Sequence, residues 1–206
     1  MKPDRCGWFS GVRRVPSPNF DMRPPRTPIS LLVIHSISLP PDEFGGPGIC
    51  RLFTNTLDCR AHPYYAQLDG LHVSAHFLVR RDGSILQFVG CGYRAWHAGV
   101  SQWRGRPRCN DYAIGIELEG SDRVPFDSRQ YQALIRLTRR LRRHYPIREI
   151  VGHADIAPGR KTDPGPQFDW ARYLHPAKRA ANFVDEGTAE RASLVPPSAG
   201  SCVPPC

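Results

Sequence analysis

Long apolar runs are absent from this chain. No stretch approaches the roughly 18 apolar residues of a membrane-spanning helix. Residues 1–10 carry no apolar core of a secretory signal either, because Pro3, Asp4 and Arg5 interrupt them. The reading that follows is a cytoplasmic protein with no membrane partner. Paired cysteine motifs are also lacking. The seven cysteines are odd in number and form no CxxC pair, which argues against a disulfide framework and a four-cysteine structural metal site and fits free thiols in a reducing compartment. There is no internal repeat, no HExxH and no nucleic-acid-binding motif.

What is present suits one domain: 206 residues, 40% hydrophobic, enough for a single core. The 21 prolines predict long ordered loops over a compact scaffold, and loops carry function more often than strands do. Net charge is +9. Much of it lies on one segment, Arg136, Arg139, Arg140, Arg142 and Arg143. The solvated face of a helix accounts for such a run; attraction of an anionic substrate is the next reading, and nucleic acid the third, since no motif accompanies the charge.

Along the chain, residues 1–29 are rich in Pro and Arg and predict an extended arm packed on the domain. SLLVIH (30–35) is a short apolar run that reads as a buried strand with His35 at its end. Residues 49–57 predict a short helix, and AHFLV and SILQFV flank Asp82-Gly83 as a hairpin. Residues 93–110 read as a long loop, YAIGIEL (112–118) as a strand, and 127–145 as an amphipathic helix. That helix is capped by Asp127 or Ser128, carries an apolar stripe through Tyr131, Leu134 and Leu141, and is stopped by Pro146. A short strand (150–152) leads to His153, a Pro/Gly loop follows, and Asp169 caps a last helix through residue 174. Residues 30–178 form the expected domain and 179–206 a tail without a packed core. The expected fold class is α/β, a mixed central sheet flanked by helices.

Eight histidines occur, and a lone histidine is usually structural. Position singles out His35 and His153, each at a strand end entering a Pro/Gly loop, where open α/β sheets place their ligands. The second loop, GHADIAPGRKTDPGPQFDW, adds Lys161 and Asp163. Two imidazoles and a carboxylate could hold a zinc ion and leave a position for water. The same residues could instead stabilise a Pro-rich loop by hydrogen bonds. Glu117 and Glu119 end the YAIGIELEG strand on one face, where an acid within an apolar run acquires a raised pKa suited to general-base work, or is simply an exposed strand-end charge.

The blocks VPSPNFDMRP, LLVIHSISLPPDEFGGPGI, SAHFLVRRDGSILQFV, RAWHAGVSQWRGRPRCNDYAIGIELEG and GHADIAPGRKTDPGPQFDW stand in an order and spacing that resemble the zinc N-acetylmuramoyl-L-alanine amidases. That family includes peptidoglycan recognition proteins and amidase-type phage lysozymes. The resemblance runs from about residue 8 to residue 174. It implies hydrolysis of the amide between (1,6-anhydro-)N-acetylmuramic acid and L-alanine in muropeptides, within cytosolic peptidoglycan recycling. It implies one Zn2+ per chain held by His35, His153 and Asp163, with Glu117 as catalytic carboxylate and Lys161 as electrophilic partner. Trp96 and Arg108 fall at positions that contact sugar and peptide, whereas His76 falls at no ligand position. Ser36 and His72 depart from the pattern, where relatives often carry Asn and Arg. The expected partner is an anhydromuramyl-peptide substrate, with no specific nucleic acid, and the expected state is a monomer. Rival readings are a peptidoglycan-binding module without activity and a lytic enzyme acting on intact wall.

Overall fold

The structure, a computed structural model, describes residues 2–175. The chain divides into two units, Met1–Asp169 and Trp170–Cys206. In the second, the described part is a short helix, α4 (Trp170–Leu174); the expected tail, 179–206, lies outside the described residues.

The first unit is built on a six-stranded mixed sheet. In chain order its strands are β1 (Arg13–Arg14), β3 (Leu31–Ile37), β4 (Phe77–Val79), β5 (Ile85–Gln87), β9 (Ala113–Glu119) and β10 (Glu149–Gly152). They lie in the order β1-β5-β4-β9-β3-β10. Strands β4, β9, β3 and β10 run parallel, and the β4–β5 hairpin supplies the antiparallel pair. Parallel strands buried on both faces read as near-continuous apolar runs; every residue of β9 and the first five of β3 are buried. The SLLVIH run therefore forms its strand, but two residues more follow His35. The Asp82-Gly83 turn closes as expected, with Gly83 at φ +81° and its N–H donating to the Arg80 carbonyl at 2.9 Å.

The region 93–110 is not all loop. β6 (Tyr93–Ala95) pairs antiparallel with β2 (Phe20–Met22) of the N-terminal segment. β7 (Gln102–Trp103) and β8 (Arg106–Pro107) form a small ribbon, and a 3-10 turn (Cys109–Asp111) follows. Arg23 stitches this region to the N-terminal segment: its guanidinium donates to the carbonyls of Cys91, Asn110, Asp111 and Ala113. Such pairings depend on tertiary partners rather than local propensity, so no period announces them.

Two helices follow the expected chemistry. α1 (Gly48–Phe53) buries Ile49, Leu52 and Phe53. α2 (Ser128–His144) starts at Asp127 in a capping box with Gln130, satisfying free N–H groups of the first turn. It buries Tyr131, Leu134, Leu137 and Leu141, while Arg136, Arg139, Arg142 and Arg143 are exposed. Five cysteines among the described residues, Cys6, Cys50, Cys59, Cys91 and Cys109, are free thiols. No helix among the described residues is long and apolar enough to cross a membrane.

Glu119 shows how the sheet anchors a loop. It is 1% exposed and accepts from the Gly45 N–H at 2.7 Å, the Arg81 N–H at 3.1 Å and the Arg80 guanidinium at 3.1 Å. The Pro/Gly loop 39–48 is thereby tied to the end of β9. Removing one partner of a buried pair leaves a charge uncompensated, at a cost of about 3 kcal/mol. Arg80→Ala is accordingly expected to lower unfolding stability by about that amount, measured by urea denaturation; a loss below about 0.5 kcal/mol, the level of an ordinary surface change, would contradict this role.

Candidate metal centre and cleft

Register brings the candidate residues together. His35 of β3 pairs directly with Glu117 of β9, and β10 ends with Gly152 opposite Ile34. The next residue, His153, opens a one-turn helix, α3 (His153–Ile156), instead of an irregular loop. Three neighbouring parallel strands thus deliver His35, Glu117 and His153 at their carboxyl ends, where open α/β sheets hold ligands. Asp163 returns from the following loop, its carbonyl accepting from the Ala154 N–H at 2.9 Å.

Three atoms converge: His35 Nδ1, His153 Nδ1 and Asp163 Oδ2. Their separations are 3.0, 3.1 and 3.1 Å. They form the one candidate metal-holding group of three or more among the described residues. Three ligands bonded tetrahedrally at 2.0–2.2 Å stand roughly 3.4 Å apart, so the cluster is close to the size a small ion requires. Its chemistry fits as well. His153 Nε2 faces the Ala98 carbonyl at 3.1 Å. A carbonyl only accepts, so Nε2 carries the proton and a neutral His153 turns its Nδ1 lone pair inward. Burial pulls the His35 pKa down to about 4, against the Asp163 contact that raises it, so His35 is neutral near pH 7. Burial alone would raise the Asp163 carboxyl; its contacts with His153 and His35 outweigh that and hold it below the usual carboxylate range. Two imidazole nitrogens and an ionised carboxylate suit zinc.

His153 and Asp163 of this cluster line a cleft of about 450 Å³, with His35 buried behind them; its walls also include Ser36, Leu39, Trp96, Glu117, Asp122, Lys161 and Thr162. Trp96 is half-buried on its wall. Its backbone is fixed on both sides by Ser74, whose N–H donates to the Trp96 carbonyl and whose hydroxyl accepts from the Trp96 N–H, both at 3.1 Å. Asp122 and Thr162 close one side with a 3.2 Å hydrogen bond. Glu117 is 9% exposed, and its Oε2 is buried with no hydrogen-bond partner among the described residues. Burial raises its pKa well above the ordinary value; the Asp163 charge adds to this and Lys161 opposes it. Glu119, on the same strand face, is instead consumed by Arg80 and the 39–48 loop.

Of the sequence-predicted residues, His35, His153, Asp163, Glu117, Lys161 and Trp96 meet here. Arg108 does not line the cleft: its side chain is 68% exposed and pairs with Asp111 at 3.1 Å. Ser36 is on the wall; His72 is exposed between Leu71 and Val73, which line the cleft, and is not itself a lining residue. Sequence reasoning left His97 without a role, yet its ring faces His35 directly. The signal available was Gly115, a glycine inside a strand, which marks a close approach.

Fold and site define a class. Residues 25–166 match the family described as N-acetylmuramoyl-L-alanine amidase, and the chain belongs to that family. A relative from Escherichia coli (strain K12), the 1,6-anhydro-N-acetylmuramyl-L-alanine amidase AmpD, is 59% identical over 169 residues, 81% of this chain and 92% of that protein. AmpD of Haemophilus influenzae (strain ATCC 51907 / DSM 11121 / KW20 / Rd) is 51% identical over 181 residues, 86% of this chain and 98% of its own. A crystal structure of a selenomethionine AmpD derivative is similar at TM-score 0.81 and 57% identity, over 84% of this chain and 97% of that one. A complex of E. coli AmiD with anhydro-N-acetylmuramic acid-L-Ala-D-gamma-Glu-L-Lys is similar at TM-score 0.52 and 34% identity, over 84% and 68%.

Proposed function

We propose that this chain is a zinc-dependent amidase that cleaves the amide between 1,6-anhydro-N-acetylmuramic acid and L-alanine of muropeptides, in cytosolic peptidoglycan recycling. The observation that carries the reading is one arrangement: an unpartnered buried carboxylate, Glu117, in register beside a two-histidine, one-carboxylate cluster at the floor of a cleft. The activity for which the AmpD relatives are named supports the substrate, and the free thiols support a reducing compartment. One chain supplies every residue the reading needs, which suits a monomer.

His35, His153 and Asp163 would hold the zinc, which when bound polarises the amide carbonyl and lowers the pKa of water. Glu117 takes the proton of the attacking water and passes it to the departing alanine nitrogen, which could not leave as an anion. Lys161 places its ammonium against the oxyanion of the tetrahedral intermediate; losing one such donor typically costs about 100–1000-fold. Trp96 offers a flat apolar face to the sugar ring. Arg108, outside the cleft wall, is left for a peptide long enough to extend beyond it.

Lys161 also acts on Glu117, since its charge favours the ionised carboxylate. Glu117 is a base only when ionised. Lys161→Met is therefore expected to lower kcat/KM by about 100–1000-fold and to move the acid limb of its pH profile to higher pH. An unmoved limb would separate the two residues.

The reading is tested by incubating the protein with anhydro-N-acetylmuramyl-L-Ala-D-γ-Glu-L-Lys and following products by mass spectrometry. Free anhydro-sugar and free tripeptide, with one water added across the bond, are expected. Substrate that binds and stays intact would make the protein a binding module.

A further inference from the structure

We infer that His97 is a positioning residue for the proposed metal site: its Nδ1 accepts the Nε2–H of His35 and so keeps the His35 Nδ1 lone pair aimed at the metal. The inference rests on the zinc reading above. His35 Nε2 and His97 Nδ1 stand 2.9 Å apart in buried surroundings, with the two rings near perpendicular at 83°. A metal-bound imidazole has its remaining proton on the other nitrogen, and the group accepting that proton fixes ring orientation and ligand basicity. For His153 that acceptor is the Ala98 carbonyl. For His35 the facing atom is His97 Nδ1. Two successive residues thus receive the outer protons of both histidine ligands.

The surroundings are built to hold this dipeptide. Asn110 Oδ1 accepts from the N–H groups of His97 and Ala98 at 3.2 and 2.9 Å. Arg160 donates to the Ala98 and Val100 carbonyls at 2.8 and 2.7 Å. The ring of His97 lies over Gly115 in the middle of β9, where a Cβ would stand 2.4 Å from its Cγ. Glycine inside a strand weakens it, so β9 gives up a side chain at the one point where this ring needs the space. The other ring nitrogen, Nε2, is buried with no partner among the described residues. A ring kept only for packing would need neither nitrogen. Among the described residues, the one hydrogen bond this imidazole makes is the one to His35.

The test uses three proteins, wild type, His97→Phe and His97→Asn, with zinc affinity read by competition with a chromophoric chelator. Phe keeps the ring and removes the acceptor. Asn places its Oδ1 close to where Nδ1 stood. His97→Phe is expected to bind zinc about 10–100-fold more weakly, and His97→Asn to recover most of that loss. Zinc-loaded wild type labelled with 15N should show a coupling between His35 Nε2 and His97 Nδ1 across the shared proton. Equal affinity in wild type and His97→Phe overturns the inference alone, as does an Asn variant no better than Phe, or the absence of the coupling. A wild type that binds no zinc overturns the functional reading and this inference with it. Should His97→Phe fail to fold, the coupling in the wild type decides.

Discussion

Glu117→Gln is expected to lower kcat/KM by about 100- to 10,000-fold, the range for loss of a positioned general base, while bound zinc stays at the wild-type level. Glutamine keeps the shape and polarity of the side chain and cannot take a proton from water. Glu117 stands beside His35 in register, yet it is outside the group of atoms that converge on the candidate ion. Metal analysis of the variant distinguishes the two roles: lost zinc would make Glu117 a ligand. The same substitution has a second readout in metal-free protein. Burial raises the Glu117 pKa above its unfolded value, so Glu117 contributes stability below its unfolded pKa and loses it as pH rises through the folded one. An amide does not ionise. The variant should therefore gain on wild type as pH rises, by about 2–4 °C in Tm for each kcal/mol in a chain of this size, and the gain should vanish in acid. A catalytic group held against its own solvation preference is a common source of such a trade of stability for activity.

Asp163→Ala is expected to weaken zinc binding by more than the about 10–100-fold that losing an outer partner costs, because here a bonded atom and a negative charge both go. Its Oδ2 lies 3.1 Å from each histidine Nδ1 and is the anionic member of the set. The loop should survive the change, since it is held through the Asp163 backbone carbonyl and the Ala154 N–H. Asp163→Asn separates charge from shape: an affinity between those of wild type and the alanine variant is expected. Chelator competition measures all three, and an unchanged Kd in Asp163→Ala would remove the residue from the site.

Much of this site is legible in the sequence because its ligands sit where strong local patterns end. The apolar runs of β3 and β9 deliver His35 and Glu117, and the Pro/Gly loop after β10 carries Lys161 and Asp163. The capping residues of α2 and the Asp-Gly turn of the hairpin are similarly local. What the sequence hides depends on partners distant in the chain. β6 exists because β2 lies beside it, and three residues have no period to display. Alternation sets Glu117 and Glu119 on one face but cannot say that the 39–48 loop covers the second and leaves the first in the cleft. Arg108, assigned by resemblance, adopts a left-handed backbone at φ 60° and turns to Asp111. His97 carries no motif of its own; only the hollow at Gly115 explains where its ring goes.

In the proposed function, His35, His153 and Asp163 hold one zinc ion without which the cleft does not hydrolyse its substrate. The direct measurement strips the protein with a chelator, returns zinc in steps, and follows bound metal and release of tripeptide from the anhydromuramyl peptide in the same samples. No release is expected from stripped protein, and activity should rise in proportion to bound zinc up to one ion per chain. Stripped protein that cleaves at the full rate would contradict this requirement for zinc.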